Sequence, residues 1–96
     1  MDEIRFEWDE KKNTINKLKH GVSFEEARTV FYDPDALVIS DPDHSLEEDR
    51  FLIMGFSFEL NLLIVSHCYR EADSVIRIIS AREANKNESK QYIENK

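Results

Sequence analysis

The feature that most limits what this chain can fold into is the stretch from Arg50 to Arg82. Within it Arg50–Phe58, Leu60–Tyr69 and Ser74–Arg82 each read as a β-strand, separated only by short turns near Glu59-Leu60-Asn61 and Glu71-Ala72-Asp73. An antiparallel meander is the economical topology for strands joined so closely. The second and third segments are apolar on both faces over much of their length, as expected of central strands covered by helices. With 96 residues the chain can build one hydrophobic core but not two ordinary ones, so residues 1–96 are read as a single α+β domain.

The flanking segments supply the covering elements. Ile4 to Trp8 alternates apolar and polar residues, a short strand with Ile4, Phe6 and Trp8 facing one way and no partner identifiable locally. Asp9 is suited to an N-cap and Gly21 to ending a helix at His20, and Ile15 and Leu18 are that helix's few apolar contacts, which predicts a surface position. Ser23 with Glu26 predicts a capping box, and Phe24, Ala27, Val30 and Phe31 then recur at helical spacing until Asp33-Pro34. Ala36–Ser40 reads as a short strand, and Asp41-Pro42-Asp43-His44-Ser45 as a turn opening an acidic loop that reaches Asp49. A polar helix over Asn85–Glu94 brings Glu88 and Tyr92 onto one face.

Charge and cysteine usage narrow the function classes. A net charge of −7 argues against a non-specific nucleic-acid binder, because phosphate affinity comes mostly from Lys and Arg displacing counterions. The excess acid lies early: residues 1 to 60 hold seven Lys or Arg against fifteen Asp or Glu, while 61 to 96 hold six against five. Cys68 is the sole cysteine, which excludes an internal disulfide. The first residues lack a basic-then-apolar leader, and the run Leu60–Ser66 is too short for a membrane span, so a cytoplasmic protein with no membrane contact is expected. His20, His44 and His67 with one cysteine give no metal-ligand spacing, and Asp41, Asp43, Glu47, Glu48 and Asp49 read as a solvated loop, so neither metal nor other cofactor is expected.

Candidate chemistry concentrates in the last third, and each residue also has an ordinary reading. Arg77 interrupts Val75-Ile76-Arg77-Ile78-Ile79, where a charge must emerge, line a cleft or pair with an acid such as Glu71 or Glu88. Arg82 closes the same strand on the opposite parity, so the two share a site only if the strand is bulged; on spacing alone a helix C-terminal or loop contact suits it. His67 lies between Val65 and Tyr69 on one strand face, where a satisfied core histidine is the commoner case. Arg70 and Glu71 end that strand as a pair of the usual solvated kind, and Tyr92 can pack on the sheet or offer its ring to a base.

Phe6-Glu7-Trp8-Asp9, His20-Gly21-Val22-Ser23-Phe24-Glu25-Glu26-Ala27, Asp41-Pro42-Asp43-His44 and Ile76-Arg77-Ile78-Ile79-Ser80-Ala81-Arg82, followed by Ala84, Glu88 and Tyr92, closely resemble the BrnT toxin family over nearly the whole chain. The resemblance implies a RelE-like fold, with an antiparallel sheet of about four strands, two N-terminal helices and a C-terminal helix. It also implies a ribonuclease toxin of a type II toxin-antitoxin system that stops translation. The implied partner is a BrnA-like antitoxin with a ribbon-helix-helix domain, in a complex that is open to being dimeric and that contacts promoter DNA only through the antitoxin.

Metal-free cleavage of RNA needs a base for the ribose 2′-OH, cations for the phosphorane and an acid for the leaving 5′ oxygen. Carried over onto matching positions, the resemblance makes Arg77 and Arg82 phosphate and transition-state stabilisers, Arg70 a third cation, His67 or Glu71 the proton carrier, and Tyr92 a stacking platform for a base. The rival reading is a catalytically weak or inactive binding module that acts with its DNA-binding antitoxin in autorepression, a reading that suits the acidic balance.

Overall fold

The computed structural model describes residues 4–41 and 49–95, so most of the predicted acidic loop, with Asp43, His44, Glu47 and Glu48, lies outside the described residues. The elements are β1 (Arg5–Glu7), α1 (Glu10–His20), α2 (Phe24–Thr29) running into a 3-10 turn at Val30–Tyr32, β2 (Leu37–Ser40), β3 (Phe51–Phe56), β4 (Leu62–Arg70), β5 (Val75–Glu83) and α3 (Lys86–Glu94). Among the described residues no helix is long and apolar enough to cross a membrane.

The meander is present, but the sheet has five strands in the order β1-β5-β4-β3-β2, not about four, and it is mixed rather than antiparallel. The added strand is β1, which pairs in parallel with β5 through Arg5–Val75, Phe6–Ile76 and Glu7–Arg77. A parallel partner nearly the whole chain away leaves no local signal, which is why the sequence shows the strand and not its neighbour.

Between β4 and β5 the register slips: Ser66 pairs with Ser80 and His67 with Ile78, so Ile79 is an extra residue. This β-bulge reverses the parity of β5 beyond it. Arg77 then lies opposite Cys68 and Arg82 opposite Ile64, two positions on the same side of β4.

One sheet face is covered by α1 and α2 and carries the main core: Val22, Phe24, Ala27 and Val30 from the helical side meet Ile53, Leu63, Val65, Ile78 and Ala81, all at most 4 % exposed. Among the described residues the other face is covered by α3, through Tyr92 against Met54 and Ile64. Phe6 and Trp8 of the first strand do pack inward, edge-on to Phe31 and Phe24, whereas Ile4 is exposed.

Helix α1 docks by a route its apolar residues do not reveal. Ile15 and Leu18 are 60 % and 85 % exposed, and the buried side chains are Asn13 and Asn16. Asn16 Nδ2 donates to the carbonyls of Val22 (2.9 Å) and Ala81 (2.8 Å), and its Oδ1 accepts from the Ala81 N–H at 3.2 Å. Asn13 Oδ1 accepts from the Phe24 N–H at 2.8 Å. Two amides thus satisfy backbone groups that the helix-sheet junction would otherwise bury unpaired.

Caps behave as anticipated at Asp9 and Gly21 (φ 71°), and Asn85, expected only as the first residue of the last helix, is its N-cap and closes a capping box with Glu88. At α2 only half of the predicted box forms. Ser23 accepts from the Glu26 N–H, but the Glu26 carboxylate instead accepts from Ser57 Oγ (2.7 Å) and Asn61 Nδ2 (2.8 Å), tying the helix to the β3–β4 turn.

Gly55 is required where β3 passes the 3-10 turn. A Cβ there would stand 3.0 Å from Asp33 Oδ2 and 3.1 Å from both Ala36 Cβ and Val30 Cγ1. Gly55→Ala is therefore expected to lower stability by about 1–3 kcal/mol, the usual range for overpacking. Urea denaturation with an unchanged slope and a lower midpoint would show it; an unchanged midpoint would mean that the neighbours yield freely.

Candidate functional site

The face left open beyond α3 collects the arginines. Arg70, on the same side of β4 as Cys68 and Ile64, joins Arg77 and Arg82 there by register. Arg77 Nη1 donates to Glu7 Oε2 at 2.8 Å, and Arg70 Nε lies 3.7 Å from the same oxygen. Arg77 thus pairs with an acid on β1, and neither Glu71 nor Glu88 is its partner among the described residues. Arg82 grips Glu88 with both terminal nitrogens, at 2.8 and 2.9 Å. That contact is to the first turn of α3, an N-terminal and not a C-terminal helix contact. The hydrogen bond and charge of Glu88 push the Arg82 pKa further up, and the same pair holds the Glu88 carboxyl below the usual carboxylate range.

The arginines do not converge on one point. Arg77 and Arg82 are separated by roughly 15 Å of strand at about 3.3 Å per residue. One end of the open face therefore holds Arg70, Arg77 and Glu7, and the other holds Arg82 and Glu88.

His67 is placed elsewhere. It alternates with Val65 and Leu63 on the helix-covered face, is 0 % exposed, and sits edge-on to Phe31 at 4.8 Å. Nδ1 donates to the Val65 carbonyl (3.2 Å) and Nε2 accepts from the Tyr69 hydroxyl (3.4 Å), the tautomer both contacts require. The sheet lies between this imidazole and the arginines, so the structure does not bring the expected proton carrier together with them. Tyr69 and Phe51 open onto a hollow of about 370 Å³ whose other lining residues, among those described, are Asp49 and Asp73, carboxylates that would repel a phosphate.

Burial pushes the His67 pKa down, so the ring stays neutral when folded. The unfolded chain takes up that proton at an ordinary histidine pKa of about 6.5. The neutral ring's contribution to stability is therefore present above that value and lost as pH falls from it towards the folded pKa. Unfolding free energy is expected to decline on acidification below neutrality, and less so in His67→Gln; parallel pH profiles for the two proteins would remove the assignment.

Glu71 closes the β4–β5 turn at φ 50°, and its Oε2 accepts from Arg5 Nη2 at 2.6 Å. It follows Arg70 in the chain and pairs through that one oxygen with Arg5, not with Arg70 or Arg77, among the described residues. Tyr92 is 2 % exposed, packs edge-on to Phe56 and donates its hydroxyl to Asp33 at 2.6 Å, so its ring is closed to a stacking base. Its buried hydroxyl, beside the Asp33 charge, has a raised pKa. Of the two sequence readings of Tyr92, packing is the one the geometry supports.

Sequence reasoning missed Glu7 as a member of the arginine face and offered Glu88 to Arg77, whereas its partner is Arg82. The capping-box spacing places Glu88 in the first turn of α3, just after the strand that holds Arg82, whereas Glu7 needs the parallel β1–β5 register. Among the described residues no three His, Cys, Asp or Glu side chains gather as a metal site.

Helices on one face of a mixed sheet and acid-paired arginines along the other define a small α+β protein with a cation-bearing sheet face. The family model described as the ribonuclease toxin BrnT of type II toxin-antitoxin systems matches residues 8–88, and the chain belongs to that family. Among solved structures, the Brucella abortus ribonuclease toxin BrnT is similar with a TM-score of 0.65 and 24 % identity, covering 90 % of this chain and 100 % of that one. That likeness is one of fold. No curated protein matches the chain. Membership in a type II family implies an antitoxin partner.

Proposed function

We propose that this chain is a cytoplasmic endoribonuclease toxin that cuts RNA on the open sheet face without a metal ion and thereby inhibits translation. The observation that carries the proposal is the bulge that sets Arg77 and Arg82 on one face together with Arg70. Arg77 and Arg70 bind the phosphate that reacts, and Arg82 holds a neighbouring phosphate of the same strand. Guanidinium groups stabilise the extra charge of a pentavalent phosphorane more than that of the ground-state diester, which is how they accelerate the reaction.

The antitoxin is a BrnA-like ribbon-helix-helix protein that covers this face and supplies all contact with DNA. An apolar groove of about 110 Å³ between α3 and β2–β3, floored by Leu52, Met54 and Ile64 and bordered by Glu88, gives it an anchor beside Arg82. Purified chain added to RNA and to a translating extract, each with excess chelator, is expected to cleave the one and silence the other. Intact RNA and normal translation at high toxin concentration would refute the enzyme reading, and cleavage that chelator stops would refute metal independence.

One observation favours the rival binding-module reading: Arg77 and Arg82 are already neutralised by Glu7 and Glu88. Growth arrest on expression without an antitoxin separates the two, since a module that only assists repression leaves growth unchanged.

A further inference from the structure

We infer that Glu7 is the general base of the cleavage reaction, an inference that rests on the proposed ribonuclease activity and names its proton acceptor. His67 lies behind the sheet, and among the described residues the carboxylates near the arginines are Glu7, Glu71 and Glu88; Glu71 pairs with Arg5, whereas Glu7 pairs with the Arg70 and Arg77 cations that would hold the phosphate. Glu88 has no room for the task. Its Oε1 accepts from Arg82 (2.8 Å) and from the Asn85 N–H (2.9 Å), and its Oε2 accepts from Arg82 (2.9 Å).

Glu7 differs on each count. Only Oε2 is engaged, by Arg77 at 2.8 Å and more distantly by Arg70 at 3.7 Å, and Oε1 has no hydrogen bond among the described residues. The side chain is 40 % exposed, so a ribose can reach it. Its backbone is fixed by the parallel pairing with Arg77, which sets the free oxygen beside the two guanidinium groups where a phosphate would sit. A base must stand within hydrogen-bond reach of the hydroxyl next to the phosphate it activates, and here acceptor and cations share one cluster.

In the reaction Glu7 Oε1 takes the proton of the ribose 2′-OH as the 2′ oxygen forms a bond to phosphorus. The bond from phosphorus to the 5′ oxygen breaks, leaving a 2′,3′-cyclic phosphate, and the departing 5′ oxygen takes a proton from solvent water. Glu7 then returns its proton to solvent. Arg77 and Arg70 hold the non-bridging oxygens throughout and offset the repulsion between the carboxylate and the phosphate.

The test compares wild type, Glu7→Gln and Arg77→Ala in single-turnover cleavage of a short RNA across pH, with folding checked by circular dichroism. Gln keeps a hydrogen-bond acceptor for Arg77, so the cluster stays assembled. The expected result is a loss on the order of 10²-fold or more in Glu7→Gln together with disappearance of the acid limb of the pH–rate profile. A uniform loss with the acid limb intact would make Glu7 a positioning partner of Arg77 and overturn the inference. Full activity of Glu7→Gln would overturn it as well. Should Glu7→Gln not fold, Glu7→Asp serves instead: a slower rate that keeps the acid limb supports the inference, and an unchanged rate overturns it. RNA left intact by wild type would refute the ribonuclease reading itself, a different outcome from any of these.

Discussion

Arg77→Ala is expected to lower the rate of RNA cleavage by about 10²–10³-fold, the loss typical of removing one preorganised donor from a developing oxyanion. The fold should survive it. Arg77 is held in β5 by backbone pairing to β4 and to β1, and its side chain is 32 % exposed, so truncation empties no core. What it removes is the cation nearest Glu7 and the reacting phosphate. Because Arg77 already pays part of its binding potential into the Glu7 ion pair, the loss should grow as salt is lowered and unscreened phosphate contacts count for more. Arg82→Ala should act differently. It weakens binding of the strand more than it slows the chemical step, and it frees Glu88 at the start of α3. Single-turnover rates at saturating enzyme separate the two effects, and equal loss of the chemical step in both variants would argue that the arginines act at one point after all.

Asn16→Ala is expected to cost about 3 kcal/mol, since it strips partners from the Val22 carbonyl and from both backbone groups of Ala81, each buried. For a domain of this size that is a drop in Tm on the order of 15 °C. Ile15→Ala, one residue earlier on the same helix and exposed, should shift Tm by little. Scanning calorimetry on the two variants decides the matter. A larger effect at Ile15 would mean that α1 docks through its apolar residues.

These contrasts mark what the residues disclose and what they do not. The three strands between Arg50 and Arg82 were legible because alternation, apolar runs and turn chemistry are local signals, and so were the caps at Asp9 and Gly21. The apolar pattern misled at α1, where a helix is anchored by hydrogen bonds of Asn13 and Asn16 that no hydropathy pattern registers. Strand parity put His67 with Val65 and Tyr69, as observed, but parity cannot say which face meets the helices. The Arg77–Arg82 relation turned on one extra residue, Ile79, whose bulge no spacing reveals in advance. Glu7 was invisible as a site residue because a parallel pairing between the first and fifth strands has to be known before it can be seen beside Arg77.

The central claim is that RNA is cut on the open arginine face and not beside His67. The most direct measurement is growth of a bacterial host on inducing wild type, Arg77→Ala or His67→Gln without an antitoxin, each confirmed soluble and folded. The account predicts arrest by wild type and by His67→Gln, and normal growth with Arg77→Ala. Arrest by Arg77→Ala together with normal growth of folded His67→Gln would contradict it and move the chemistry to the opposite side of the sheet.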